Sequence, residues 1–266
     1  MNELRTHFGF SRLPFTRHTP KEAFFRHPGF EEATRRLRFI VELDGVAVLM
    51  AEAGCGKSLL LGELSDELQR EGRAVHYFAH STAGPFGLVN VLARKAGISP
   101  RRSRAETAMA LSEALCAADR KQVVVCDEAH LLSDETLEDL RLLTISDFDR
   151  KSPFLLVIAG QPQLDDRLAD PIHHGLDQRI PTFARLAPLG PDETADYLAC
   201  RLAAAGAKGN PVFEQGAVEA IYDASGGVPR RVNNVANGAL VVAASRNRRL
   251  VTAQDVHDAK LDRGRS

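Results

Sequence analysis

Gly54, Gly56, Lys57 and Ser58 stand together in VAVLMAEAGCGKSLLL, residues 46–61, between a short apolar run and apolar residues at helical spacing. This arrangement can hold a phosphate. Backbone N–H groups converge on an anion only where no Cβ keeps the chain away, and the two glycines supply that freedom. Lys57 would reach the β- and γ-phosphates and Ser58 would hold Mg²⁺, while the helix starting there turns its positive end toward the anion. Ala53, Cys55 and Leu59 complete the candidate nucleotide-binding loop. The pattern G-x-x-x-x-G-K-[ST] asks for glycine at position 51, where the chain has Ala51. Being small, Ala51 is expected to stiffen the loop without preventing phosphate binding. Cys55 reads as a small filler residue or as a redox-sensitive thiol.

A second group of reactive side chains closes QVVVCDEAH, residues 122–130. The run is continuously apolar, as in a parallel strand covered on both faces, and its carboxylates would emerge where open α/β sheets bind ligands. Asp127 would hold the Mg²⁺ shell, and Glu128 would orient and polarise an attacking water. An Asp-Glu pair after a strand is otherwise only a charge pair at a helix N-terminus; the phosphate loop is what gives it chemistry. Gln161 follows another apolar run, FLLVIAG, and is placed to sense the γ-phosphate.

The elements that must position these residues follow from periodicity. Helices are expected over 30–43, closed by Gly45, and over the loop helix to about Arg70. Further helices are expected over 86–96, 105–118, 133–145 with Ser133 as N-cap, and 163–169. Strands are expected at 46–51, 74–79, 122–130, 154–160 and 180–186, the last confined to an edge by Pro181. Residues 1–28 read as an irregular arm whose Phe8, Phe10 and Phe15 either pack on the domain or line an adenine pocket. From Pro191 the pattern is helical only: 191–205, 213–224, 229–246 and 253–261. That shift marks a boundary near Pro188.

Composition bounds the answer. With 44% apolar and 26% charged residues over 266 positions, the chain is globular and can bury a substantial core. A net charge of −1 excludes a globally basic nucleic-acid binder but not a local patch. Such a patch exists around Arg94, Lys95, Arg101, Arg102 and Arg104, with no acidic residue between. It is either a solvated surface or a loop that tracks DNA phosphates. The four cysteines show no metal-binding spacing, and no run approaches the ~20 apolar residues of a membrane span. A soluble, cytoplasmic protein is expected.

The phosphate loop, the VVVCDEAH box, Gln161, the LDQRI segment and GGVPRRVN at 226–233 together resemble the AAA+ ATPases. The chain looks most similar to the ExeA/GspA-like family and to transposition-helper ATPases of the TniB/TnsC/MuB/IstB type; its opening FGFSRLPF is similar to the family's start. The resemblance implies an α/β P-loop NTPase fold: a three-layer αβα domain with a five-stranded parallel sheet, then a small all-helical lid. The corresponding limits are 1–44 for the arm and first helix, 45–188 for the nucleotide-binding domain and 189–266 for the lid. By the same resemblance Arg179 becomes an arginine finger acting on a neighbouring subunit's site, and Arg230 a sensor on the lid. ATP, Mg²⁺ and a homo-oligomer with its site at the subunit interface are implied.

Two functions compete on this reading. One is an oligomeric helper that binds duplex DNA and activates a transposase, with Lys95, Arg101, Arg102 and Arg104 as DNA contacts. The other is an ATPase of a general secretion pathway assembly system. Members of that branch typically carry a membrane segment and a cell-wall-binding domain, neither of which this sequence contains, so the helper is the expected function. The DEAH tetrapeptide at 127–130 also suggests a helicase, but that needs two motor domains and there is room for one. A binding-only switch has no need of Glu128.

Overall fold

The computed structural model describes residues 2–16, 24–43, 46–79, 84–145, 152, 154–209 and 211–262. The chain divides into two compact units, one formed by 28–186 and the other by 1–27 together with 187–266. Gly45 lies outside the described residues.

The chain opens with helix α1 (Asn2–Phe8) where an irregular arm was expected. Glu3 in its first turn and Arg5 and His7 in its last suit the helix dipole, but seven residues are too few to show an apolar period. The irregular stretch begins at Gly9, whose φ of 72° ends the helix. Beyond it, Phe10 and Phe15 are buried among the C-terminal helices, and Phe8 stacks on Phe10 at 5.4 Å. For these rings the structure shows packing inside their own unit.

Residues 28–186 build a three-layer α/β unit. Helix α2 (Pro28–Glu42) precedes strand β1 (Val46–Ala51), and α3 (Lys57–Arg70) precedes β2 (Ala74–Phe78). Helices α4 (Gly84–Lys95) and α5 (Arg104–Ala117) lead to β3 (Gln122–Cys126), and α6 (Asp134–Leu143) leads to β4 (Phe154–Gly160). Short helices α7 (Gln163–Leu168) and α8 (His174–Asp177) then reach β5 (Phe183–Leu186). All pairings are parallel, in the order β2-β3-β4-β1-β5. The three inner strands are buried at every position, whereas β2 and β5 at the edges are only partly buried.

Alternation along the strands divides the core into two faces. Val48, Met50, Val124, Leu156 and Ile158 pack with Leu92 of α4, Leu111 of α5 and Leu137 and Leu140 of α6. The other face is covered by α2 and α3, through buried Leu37, Ile40, Leu60 and Leu64. Helix α2, grouped by the sequence with the arm, thus belongs to the sheet. Strand β5 starts at Phe183 rather than Ile180, because Pro181 has no N–H to give to the ladder.

The second unit consists of α1, the arm and α9 (Pro191–Ala204), α10 (Gln215–Ser225), α11 (Pro229–Ser245) and α12 (Ala253–Asp262). Buried Arg201 holds the arm through Nε to the Pro14 carbonyl and Nη2 to the Thr16 carbonyl, both 2.9 Å, and Asn237 Nδ2 donates to Phe15 O at 2.8 Å. Between α10 and α11, Gly226 and Gly227 both take positive φ, and Gly227 O accepts from Leu189 N at 2.9 Å. A Cβ on Gly227 would stand 1.9 Å from the Leu189 carbonyl oxygen, whereas one on Gly226 would meet nothing within 4 Å. Gly226→Ala should therefore cost about 1–2 kcal/mol, the left-handed penalty alone. Gly227→Ala should cost at least ~2 kcal/mol more, as backbone must move; chemical denaturation of the two variants compares them directly.

Candidate nucleotide-binding site

The loop between β1 and α3 is shaped by its glycines: Gly54 has φ 99° and Gly56 φ 105°, conformations a side chain disfavours. Gly56 caps α3, so Lys57 and Ser58 form the helix's first turn with their N–H groups at its positive end. Ala53 and Leu59 flank these residues, and Cys55 is buried, in keeping with a filler role. Ala51 is explained by register. It is the last residue of β1, paired with Leu186, so its extended backbone needs no glycine. The loop begins one residue later.

Strand order brings the carboxylates to this loop. The chain leaving β3 enters Asp127 and Glu128 beside the start of α3, and Lys57 lies between them. Its Nζ is 3.1 Å from Asp127 Oδ1 and 2.5 Å from Glu128 Oε1, with only 6% of the lysine side chain exposed. Asp127, itself 4% exposed, accepts at Oδ1 from the Glu128 N–H at 2.8 Å. At Oδ2 it accepts from Ser58 Oγ at 3.4 Å and from Tyr77 Oη at 2.8 Å. Burial, then the hydrogen bond to Asp127, raises the Tyr77 pKa and keeps its hydroxyl a donor. Glu128 has φ 55° and ψ 33°, an uncommon backbone for a side-chain-bearing residue and one that clusters at functional sites.

This donor set fits Mg²⁺. A hydroxyl and a carboxylate converge, both hard oxygen ligands, and Mg²⁺ is commonly held by one or two such groups plus substrate phosphates. Among the described residues no group of three His, Cys, Asp or Glu could form a dedicated metal cage.

Gln161 follows β4, which neighbours β3. It meets the turn Ala129–Leu131 through His130: Gln161 N donates to His130 Nδ1 at 3.4 Å, and the amide nitrogen lies 3.0 Å from His130 Nε2. His130 Nε2 is also 3.8 Å from Glu128 Oε2. Burial lowers the His130 pKa and favours the neutral ring. Ser133 caps α6 as expected, accepting from Thr136 N.

The remaining candidates are placed as follows. Arg179 is half-buried just before β5, and its carbonyl accepts from Val46 N at 3.2 Å. Arg230 is exposed on the first turn of α11, in the other unit. Arg101 and Arg102 are exposed. Arg104 pairs with Asp139 of α6, and Lys95 Nζ donates to the Tyr77 carbonyl, so intrachain partners engage both. Tyr77 and His130 were missed by sequence reasoning. Both become visible only once β2 is placed beside β3 and β4 on β3's other side.

Residues 41–168 match the family described as an AAA domain. The general secretion pathway protein A of Aeromonas hydrophila is 36% identical over 140 residues, which span 53% of this chain and 25% of that protein. The chain therefore covers about a quarter of that relative's length. Among solved structures, Cdc6p from Pyrobaculum aerophilum superposes with a TM-score of 0.72 at 20% identity, over 94% of this chain and 70% of that one. ORC1 from Aeropyrum pernix, in complex with DNA, gives 0.66 at 18%, over 91% and 67%. A RuvB variant from Thermotoga maritima gives 0.60 at 19%, over 92% and 73%. The fold is that of an AAA+ P-loop protein. The five-stranded parallel sheet, its flanking helices and the helical C-terminal region all accord with that fold. No helix among the described residues is long and apolar enough to cross a membrane.

Removing the Tyr77 hydroxyl deletes one hydrogen bond to a buried carboxylate from a ring that is itself partly exposed. Tyr77→Phe is expected to lower stability by about 1 kcal/mol, read as a shifted denaturation midpoint with unchanged slope.

Proposed function

We propose that this chain is an ATP-hydrolysing AAA+ module of the GspA type, serving the assembly of a secretion pathway. The observation that carries the enzymatic part is the convergence of Lys57, Ser58, Asp127 and Glu128 at the end of the phosphate loop. The likeness to the Aeromonas protein supports the biological part and favours the secretion reading over the transposition helper.

In this reading the loop's N–H groups hold the phosphates of ATP. Lys57 leaves the two carboxylates for the β- and γ-phosphate oxygens, because the triphosphate carries more negative charge than the carboxylate pair. Ser58 and Asp127 would hold Mg²⁺, which would supply positive charge beside the transferred phosphoryl group. Glu128, released from Lys57, accepts the proton of a water whose oxygen bonds to the γ-phosphorus as the bond to the bridging oxygen breaks, giving ADP and phosphate. Gln161 contacts the γ-phosphate. Arg179 acts on a neighbouring copy's nucleotide in a homo-oligomer, and Arg230 senses nucleotide from the C-terminal helical unit. Glu128→Gln is expected to keep ATP affinity and lose about 100-fold or more in turnover, whereas Lys57→Ala loses binding itself. Assayed across protein concentrations, wild-type specific activity should rise, as a site completed by a neighbour's arginine requires. Equal turnover in wild type and Glu128→Gln would refute the assignment.

A second reading, a DNA-binding transposition helper, is favoured by the exposed Arg101 and Arg102, and ORC1 of similar fold is solved with DNA. If it holds, duplex affinity falls with salt, and replacing both arginines by alanine lowers that log–log slope by about 2. An unchanged slope returns the turn to an ordinary solvated surface.

A further inference from the structure

We propose that His130 is a positioning residue that couples Gln161 to Glu128, so that contact of Gln161 with the terminal phosphate fixes the carboxylate that activates water. The proposal rests on the reading of Glu128 as that base.

The ring is held from several sides. Its side chain is only 9% exposed, and Nδ1 accepts from the Gln161 backbone N–H. A neutral ring that accepts at Nδ1 carries its proton on Nε2. The Gln161 amide at 3.0 Å must then turn its oxygen toward Nε2, and Glu128 Oε2 stands 3.8 Å away on the same edge. Nε2 is thus within hydrogen-bond distance of the Gln161 amide, with the Glu128 carboxylate just beyond that distance.

Backbone packing leaves little room for this link to slacken. A Cβ on Gly160, the residue before Gln161, would stand 3.3 Å from His130 N and 2.9 Å from Leu164 Cδ2, so the end of β4 presses directly on the turn. Arg167 Nη1 donates to the carbonyls of His130, at 3.0 Å, and Leu132, at 2.6 Å, while its Nη2 pairs with Asp134. Tightly packed neighbours pass on a displacement rather than absorb it. Glu128 is different: its side chain is 38% exposed, and its carboxylate lies against Lys57 and His130. Once Lys57 turns to the phosphates, His130 is the neighbour that still orients it.

The test uses steady-state ATP hydrolysis by the full chain and its His130→Ala, His130→Gln, Gln161→Ala, His130→Ala/Gln161→Ala and Glu128→Gln variants. His130→Ala should lower kcat about 10-fold or more with the KM for ATP within about 2-fold, an interaction made only in the transition state. His130→Gln, whose amide can accept and donate, should restore most of it. The double variant should be no slower than the slower single one, because the two side chains act as a unit. Unchanged kcat in His130→Ala, multiplicative losses in the double variant, or a parallel loss of ATP binding and folding in both His130 variants would overturn the coupling. Those outcomes differ from failure of the underlying reading, in which wild type would not hydrolyse ATP or Glu128→Gln would match it; that result overturns both.

Discussion

The ion pair network of Lys57 with Asp127 and Glu128 is what the nucleotide-binding unit is built to hold. A lysine and an aspartate this deeply buried are tolerated only because each compensates the other, since an isolated buried charge costs several kcal/mol. Meeting that condition places strict demands on the chain. Gly54 and Gly56 must turn tightly enough to start α3 at Lys57, and β3 must end level with that start. Glu128 must take a left-handed backbone to face the lysine. The parallel sheet supplies the alignment. Cys126, the last residue of β3, is paired with Phe78 at the end of β2, and Tyr77 can therefore reach Asp127.

The same cluster explains why the site is poised. A lysine held by two carboxylates is a cation with acceptable but replaceable partners, and a polyphosphate is the stronger competitor. On the proposed reading, substrate binding and release of the base become one event. His130 extends that logic to the strand on the other side of β3, where Gln161 emerges. The helical unit obeys its own constraints: Gly227 admits no side chain against Leu189, and Arg201 gathers the arm onto α9 through two backbone carbonyls.

Much of this was legible in the sequence because its causes are local. Continuous apolar runs announced β1, β3 and β4, and the spacing of glycine, lysine and serine announced the loop. Ala51 departs from the loop pattern, and the ladder that pairs it with Leu186 at the end of β1 shows why glycine is not needed there. The features not legible depend on what lies beside what. Tyr77 and His130 acquire their partners from strand order, and Lys95 and Arg104 are engaged by groups distant in sequence. Helix α1 is too short for its period to show, and the start of β5 shifted because Pro181 cannot donate. Affiliation of the arm and α2 was set by which apolar faces meet, Phe10 and Phe15 with the helical unit, and Leu37 and Ile40 with the sheet unit.

The exchange of partners by Lys57 is the central claim, and a crystal structure with Mg²⁺ and a non-hydrolysable ATP analogue measures it. Lys57 Nζ should then lie within hydrogen-bonding distance of β- and γ-phosphate oxygens and beyond that distance from Glu128, whose carboxylate should face the γ-phosphorus through a water. Lys57 still paired with Glu128 while the nucleotide occupies the loop would contradict it.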